Sequence, residues 1–361
     1  MILLPLFFVF NEDHHFHYGY YLYASAIMAK LDPSFIDRFG VYVDSLFHDV
    51  AHYSNGKSRD TEDNSVFFPL SRHKSWFDGH SFASGLFSFA NGKSQESSSE
   101  AVNCYYGAYL WSLVRHEQIG SDVTDFARLL LSTEIRSAKM YWHMLPSSAR
   151  DENNCPYSQI YPSVFEENFM VGNVGMLDAT ASTWFGDKPL YVHMINCIPI
   201  TAVSNLLLEK NYIKHEYPFL MRNQKNVEMA WRGYTVSIHS IIEPNKAWKD
   251  ASGLISNQLD SALSKSQVLY FISQQSGFNI TLDDYPKTKQ KQFYNNTSRK
   301  TPSPSNGTSL YQNMNNSTSN VTTTLSTSSA ACDRKPSCVQ LEVEGMCCPT
   351  VEGIFLDCCI G

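Results

Sequence analysis

Two stretches concentrate side chains that could do chemistry. The first is NEDHHFHYGYY, residues 11–21, with Asp13, His14, His15 and His17 inside five positions. Imidazole and carboxylate at that density suit a zinc or iron site, although the spacing is not that of HExxH and no matching ligand motif is obvious elsewhere. In a second reading Asp13 is a general acid, and the histidines and Tyr18 position it and its substrate. A third reading is structural: a His-rich helix start at which Asp13 favours the positive end of the helix dipole. The second stretch, SWFDGHSFASGLFSFANGKSQESSSEAVNCYYG (75–107), carries Asp78, His80, Glu96 and Glu100. Glu96 and Glu100 stand four apart, so a shared helix puts both on one face. Ser97-x-x-Glu100 also reads as a capping box ahead of the apolar run from Ala101. That accounts for Glu100 by itself and leaves Glu96 in the loop just before the helix. Ser94, Ser97, Ser98 and Ser99 suggest a serine nucleophile, but no GxSxG elbow accompanies them. Two carboxylates among many aromatic rings suit glycoside hydrolysis, in which one protonates the leaving oxygen and the other activates water or attacks carbon.

The elements around these residues read as helices. YGYYLYASAIMAKL (18–31) carries apolar residues at helical spacing and stops at Asp32-Pro33. Further helices are expected at 97–114, at 121–142 behind SDVTD, and at 199–210, 225–242 and 254–275. No alternating strand ladder, GxGxxG or phosphate loop appears. An all-α toroid or bundle over about 280 residues follows.

Composition narrows the partners. With 43% hydrophobic and 17% charged residues over 361 positions, a sizeable core is available and wholesale disorder is excluded. The net charge of −7 and the absence of any long Lys/Arg run argue against nucleic acid or an anionic membrane as the main partner. The 22 Phe, 20 Tyr and 6 Trp suit stacking against an uncharged partner such as sugar, after ordinary core packing has taken most of them. The N-terminal MILLPLFFVF is too short for a membrane span, which needs about 20 residues. It lacks the cationic region and cleavage site of a signal peptide, so a buried apolar segment is expected.

The chain changes character near residue 279. Every Asn-x-Ser/Thr sequon lies at or beyond that point: Asn279, Asn295, Asn296, Asn306, Asn315, Asn316 and Asn320. Residues 279–331 read as a disordered, glycosylated Ser/Thr/Asn-rich linker, because so few apolar groups cannot offset ordering entropy. Six of the nine cysteines then fall within residues 332–361: Cys332, Cys338, Cys347, Cys348, Cys358 and Cys359. Their spacing is not that of paired CxxC zinc knuckles. A small disulfide-rich module made in an oxidising compartment is expected, with its pairing open.

DHHFHYGYYLYASAIMAKLDP (13–33) and WFDGHSFASGLFSFANGKSQESSSEAVNCYYGAYLW (76–111) resemble the two signature blocks of glycoside hydrolase family 81. TWFGDKPLYVHMINCIPITA (183–202) is similar to a third segment of that family, and the order and rough spacing agree over about residues 6–278. The resemblance implies an (α/α)6 barrel over residues 1–278 and an inverting endo-1,3-β-glucanase that uses no metal or other cofactor. It further implies Asp13 as general acid, Glu96 as general base, Glu100 as a second required acid and His17 as an active-site histidine. Trp76, Asp78, His80, Tyr106 and Trp184 are the expected substrate contacts. The expected partner is β-1,3-glucan, met by a monomer that is secreted, extracellular or in the cell wall. Only twelve residues precede Asp13, where the family places a β-sandwich and further helices, so the barrel is expected to be partial. Glu12 stands where Asn is usual. The competing reading is a non-catalytic β-glucan-binding wall protein derived from a truncated barrel; a metal-dependent hydrolase rests on the Asp13–His17 cluster alone.

The tail yields a first test. A unit of some 30 residues is too small to hold a core unaided, so covalent staples should stabilise it. Deleting residues 293–361 is expected to leave cleavage of soluble laminarin nearly unchanged and to weaken activity on insoluble glucan, where local concentration matters. Mass spectrometry of secreted protein should find three disulfides in the tail. Six free thiols there would overturn both the compartment and the module.

Overall fold

A computed structural model describes residues 14–53, 68, 70–71, 73–77, 79, 81, 96–149, 183, 186–280, 330–331 and 346–348. The chain divides into two compact units, Met1–Gln290 and Lys291–Gly361. In the second, strand β1 (Ala330–Ala331) pairs antiparallel with β2 (Met346–Cys348). The linker and the cysteine side chains of the tail lie outside the described residues. In the first unit the described elements are helices, as the periodicity predicts. Among the described residues no helix is long and apolar enough to cross a membrane.

The helices in chain order are α1 (His14–Leu31), α2 (Ser34–Ala51), α3 (Ser98–Val114), α4 (His116–Ile119), α5 (Ser121–Ser137), α6 (Pro189–Met194), α7 (Ser204–Leu207), α8 (Lys210–Asn223), α9 (Trp231–Ser240), α10 (Pro244–Gly253) and α11 (Lys265–Ser273). Burial sorts them. Helix α9 is buried from Gly233 through Ser240, and α3 buries eleven residues spread around its circumference, so both are interior helices. Helix α2 buries the stripe Gly40, Val43, Phe47 and Val50, and α5 buries Thr124, Ala127, Leu130, Leu131 and Glu134. These two, with α8 and α10, cover the interior ones from outside. Where both kinds are described, α2–α3–α5 and α8–α9–α10, covering and interior helices alternate along the chain, in keeping with an all-α barrel fold.

Several boundaries differ from the sequence reading. Residues 18–31 gain a turn, so the helix begins at His14. The stretch 199–210 is not one helix, because the Ser204 hydroxyl donates back to the Pro199 carbonyl and accepts from the Thr201 N–H, a local alternative to helix. Only Ser204–Leu207 is helical there, and Leu208 is extended. The stretch 254–275 has a 3-10 turn at Ser256–Gln258 and is α-helical only over Lys265–Ser273, where Ser264 caps by accepting from Gln267 N. The stretch 121–142 ends its α-helix at Ser137 and continues as a π-turn over Ala138–Trp142. The sequence reading places no helix at α2, α4, α6, α8 or α10, and the expected helix 225–242 is α-helical only over Trp231–Ser240, behind a 3-10 turn at Gln224–Asn226. Asp32 ends α1 but also opens α2, accepting from the Ser34 N–H at 3.1 Å and from Arg38 at 2.7 Å. Pro218 inside α8 interrupts that helix's pattern, and Pro244 at the start of α10 is a start signal.

One crossing has no slack. A methyl group added at Gly19 of α1 would lie 2.5 Å from Cys104 Cα of α3, and one at Gly107 of α3 would lie 2.8 Å from the Gly19 carbonyl and 2.9 Å from Tyr23 N. Backbone therefore meets backbone. Gly19 faces Cys104 while Tyr23 faces Gly107, so the helices run in the same direction with their N-termini at one end. Alanine would gain about 0.5–1 kcal/mol of helix preference, but overpacking costs about 1–3 kcal/mol or more. Gly19→Ala and Gly107→Ala are each expected to lower Tm by about 2–10 °C. Calorimetry showing both variants unchanged would mean the helices do not touch there.

Candidate active site

The N-terminus of α3 is fixed by its serines. Ser97 is the N-cap: its Oγ accepts from Glu100 N at 3.1 Å and donates to the Ile195 carbonyl at 2.6 Å. Ser98 N donates to Asn196 Oδ1 at 2.9 Å, and Ser98 Oγ lies 3.1 Å from His143 Nε2. Ser99 Oγ lies within hydrogen-bond reach of the Ile195 and Ile198 carbonyls. All three are buried, which removes them as nucleophiles and makes them anchors of the helix start. Ser94 lies outside the described residues.

That anchored end presents the carboxylates. Glu96 sits one residue ahead of the cap and Glu100 in the first turn, both half-buried at the positive end of the helix. The capping-box expectation holds for the Ser97 hydroxyl. Glu100 Oε1, however, also accepts from the Tyr20 hydroxyl of α1 at 2.9 Å. Burial and the Glu100 charge push the Tyr20 hydroxyl pKa well up. Tyr234 of α9 is pushed up too, by burial, by Asp260, whose Oδ1 accepts from it at 3.3 Å, and by Glu100. Both tyrosines are therefore donors at any working pH.

Of the other residues singled out by sequence, His17 stands half-buried in the first turn of α1, three residues from Tyr20 and so on a shared face. Tyr106 is half-buried with its ring 5.8 Å from that of Tyr23. Trp76 is 46% exposed, 6.4 Å from the Phe126 ring, with Lys74 Nζ 5.8 Å from its face. Lys74 itself is buried and paired with Glu134. Asp13, Asp78, His80 and Trp184 lie outside the described residues. Their neighbours are tightly held: the Gly79 carbonyl accepts from Trp142 Nε1 at 2.9 Å, and Thr183 and Gly186 exchange backbone bonds at 2.9 and 3.0 Å.

The histidines of 14–17 are packed as rings. His15 stacks on His73 at 4.8 Å and His14 on Tyr18 at 5.4 Å, while His73 Nε2 meets Asp49 at 3.2 Å. Among the described residues no group of three or more His, Cys, Asp or Glu is placed to hold a metal ion. Tyr20 was absent from the sequence-based set, although the spacing 13, 17, 20 follows a helix face and could have found it. Tyr234 and Asp260 carry no such local signal.

Comparison with known proteins fits this arrangement. The model of the glycosyl hydrolase family 81 C-terminal domain matches residues 7–269. The chain belongs to glycoside hydrolase family 81. It is 28% identical over 267 residues to the primary septum glucan endo-1,3-beta-D-glucosidase of Schizosaccharomyces pombe, covering 73% of this chain and 24% of that protein. It is 31% identical over 239 residues to glucan endo-1,3-beta-D-glucosidase 2 of Saccharomyces cerevisiae, covering 65% and 29%. A solved structure of a mutant family 81 glycoside hydrolase from Clostridium thermocellum superposes with a TM-score of 0.54 at 27% identity, over 73% of this chain and 34% of that one. The chain thus spans about a quarter to a third of the length of these family members.

The anchor beside the carboxylates should report on pH. Burial and the neighbouring Lys139 push His143 down to about 3, so the folded protein keeps it neutral where the unfolded chain, with a pKa near 6.5, takes up a proton. Stability is then expected to fall as pH drops from about 6.5 towards 3, with no contribution from this residue above that window. Tm measured against pH should fall less steeply across it in His143→Gln. An unchanged slope would remove His143 from the acid limit of stability.

Proposed function

We propose that this chain hydrolyses internal 1,3-β-D-glucosidic linkages of β-1,3-glucan with inversion at the anomeric carbon. Asp13 acts as general acid and Glu96 as general base, with Glu100 as the second carboxylate beside the base. One observation carries the reading: Glu96 and Glu100 share the positive end of α3, which is clamped against α1, the helix whose first residue directly follows Asp13 in sequence. The names of the relatives from both yeasts, endo-1,3-β-glucosidases, support the choice of substrate. An inverting pair needs about 6.5–9.5 Å between carboxyl groups to admit the attacking water. Asp13 must hold its proton near working pH, which burial or a neighbouring negative charge supplies.

His17, Trp76, Asp78, His80, Tyr106 and Trp184 are assigned to sugar binding, where rings stack on pyranose faces and polar groups fix hydroxyls. The protein acts as a monomer outside the cell or in the wall, its catalytic part ending near residue 278, with the linker and cysteine-rich tail beyond.

Asp13→Asn and Glu96→Gln are each expected to lower reducing-end release from laminarin by about a hundred- to ten-thousandfold with Tm unchanged. Near-wild-type turnover in either variant overturns its assignment. Wild-type protein that binds laminarin without releasing reducing ends would instead be a glucan-binding member of the family.

A further inference from the structure

Glu100 meets a neighbour from another helix that none of the assigned roles uses. Tyr20 is 40% exposed, yet its hydroxyl donates to Glu100 Oε1 at 2.9 Å. The reach of that bond is set by the adjacent residue, because Gly19 presses backbone to backbone on Cys104. A tyrosine anchored one residue from a crossing without slack has little freedom to drift from its carboxylate. We propose that Tyr20 is a positioning residue for the glycosidic reaction: it holds Glu100 in one rotamer and in its ionised form. This rests on the glucanase reading above.

The need for such a donor follows from the pair itself. Glu96 sits one residue ahead of the extended N-cap and Glu100 in the first turn, so two carboxylates meet one helix end, and a like charge nearby disfavours double ionisation. A hydroxyl aimed at Glu100 favours its charged form. Removing that hydroxyl lets Glu100 take up a proton more readily as pH falls. The Glu100 charge, so held, keeps Glu96 basic enough to draw a proton from the attacking water. In this role Tyr20 acts through Glu100. Tyr234 differs, since its hydroxyl is spent on Asp260.

The experiment is the pH dependence of kcat and KM for laminarin hydrolysis by wild type, Tyr20→Phe, Glu100→Gln and the double variant. Phenylalanine keeps the ring and removes only the donor. Tyr20→Phe is expected to lower kcat about tenfold with KM changed less than twofold. The acid limb of its kcat profile should move up by about one pH unit. In the Glu100→Gln background the same substitution should change neither kcat nor the profile, because its target is gone. An active wild type with an unshifted limb in Tyr20→Phe, or a loss confined to Tm or KM, overturns the positioning role alone. So does an equal loss with or without Glu100. A wild type that releases no reducing ends overturns the glucanase reading, and this role with it.

Discussion

The site depends on one contact without side chains. At the crossing of α1 and α3, Gly19 and Gly107 let two backbones approach more closely than any Cβ allows. Glycine inside a helix costs about 0.5–1 kcal/mol relative to alanine, and a chain that spends it twice at one crossing gains proximity in return. The gain falls on residues next in sequence. Tyr20 follows Gly19 and reaches Glu100, and His17 lies on the same face of α1. Because the helices run the same way, their starts lie together, which is where the signature residues cluster.

Around that crossing, the polar groups are arranged by sign. The start of α3 offers unpaired N–H groups and the positive end of a dipole. Ser97 takes one N–H, and Asn196 takes that of Ser98. The remaining field favours carboxylates, and Glu96 and Glu100 are placed in it. The serine hydroxyls reach the 195–198 segment and His143, so they hold the helix start in place. A segment that reads as a nucleophile cluster in one dimension is an anchor in three.

What the sequence disclosed followed from how local each signal was. The helical class, α1, α3 and the cap at Ser97 are written within a few residues of themselves, and so is the position of Glu96 ahead of the helix. Helix α2 was missed because Asp32-Pro33, a genuine stop for α1, is also the start of the next helix and admits only one reading at a time. The break in 199–210 depends on where one hydroxyl bonds, which periodicity does not encode. Tyr20 was legible in principle, since it follows His17 along one helix face. Tyr234 and Asp260 belong to helices and turns more than a hundred residues away and enter only through the closing of the helix set. Four of the residues read as site groups, Asp13, Asp78, His80 and Trp184, lie outside the described residues, so their contribution rests on sequence.

The tyrosines also constrain the proton economy of any reaction at this end of α3. Burial and the Glu100 charge raise the Tyr20 hydroxyl, and burial, Asp260 and Glu100 raise that of Tyr234. A phenol raised in this way is a poorer acid than it is in water and cannot surrender its proton to a glycosidic oxygen. Its hydrogen bonds therefore point one way, from hydroxyl to carboxylate. Glu100, accepting from Tyr20 at the positive end of a helix, is held towards its ionised form by both. Neither group is then available as the acid. In the proposed glucanase reaction, the proton for the leaving sugar oxygen comes instead from a carboxylic acid outside this network, the role proposed for Asp13.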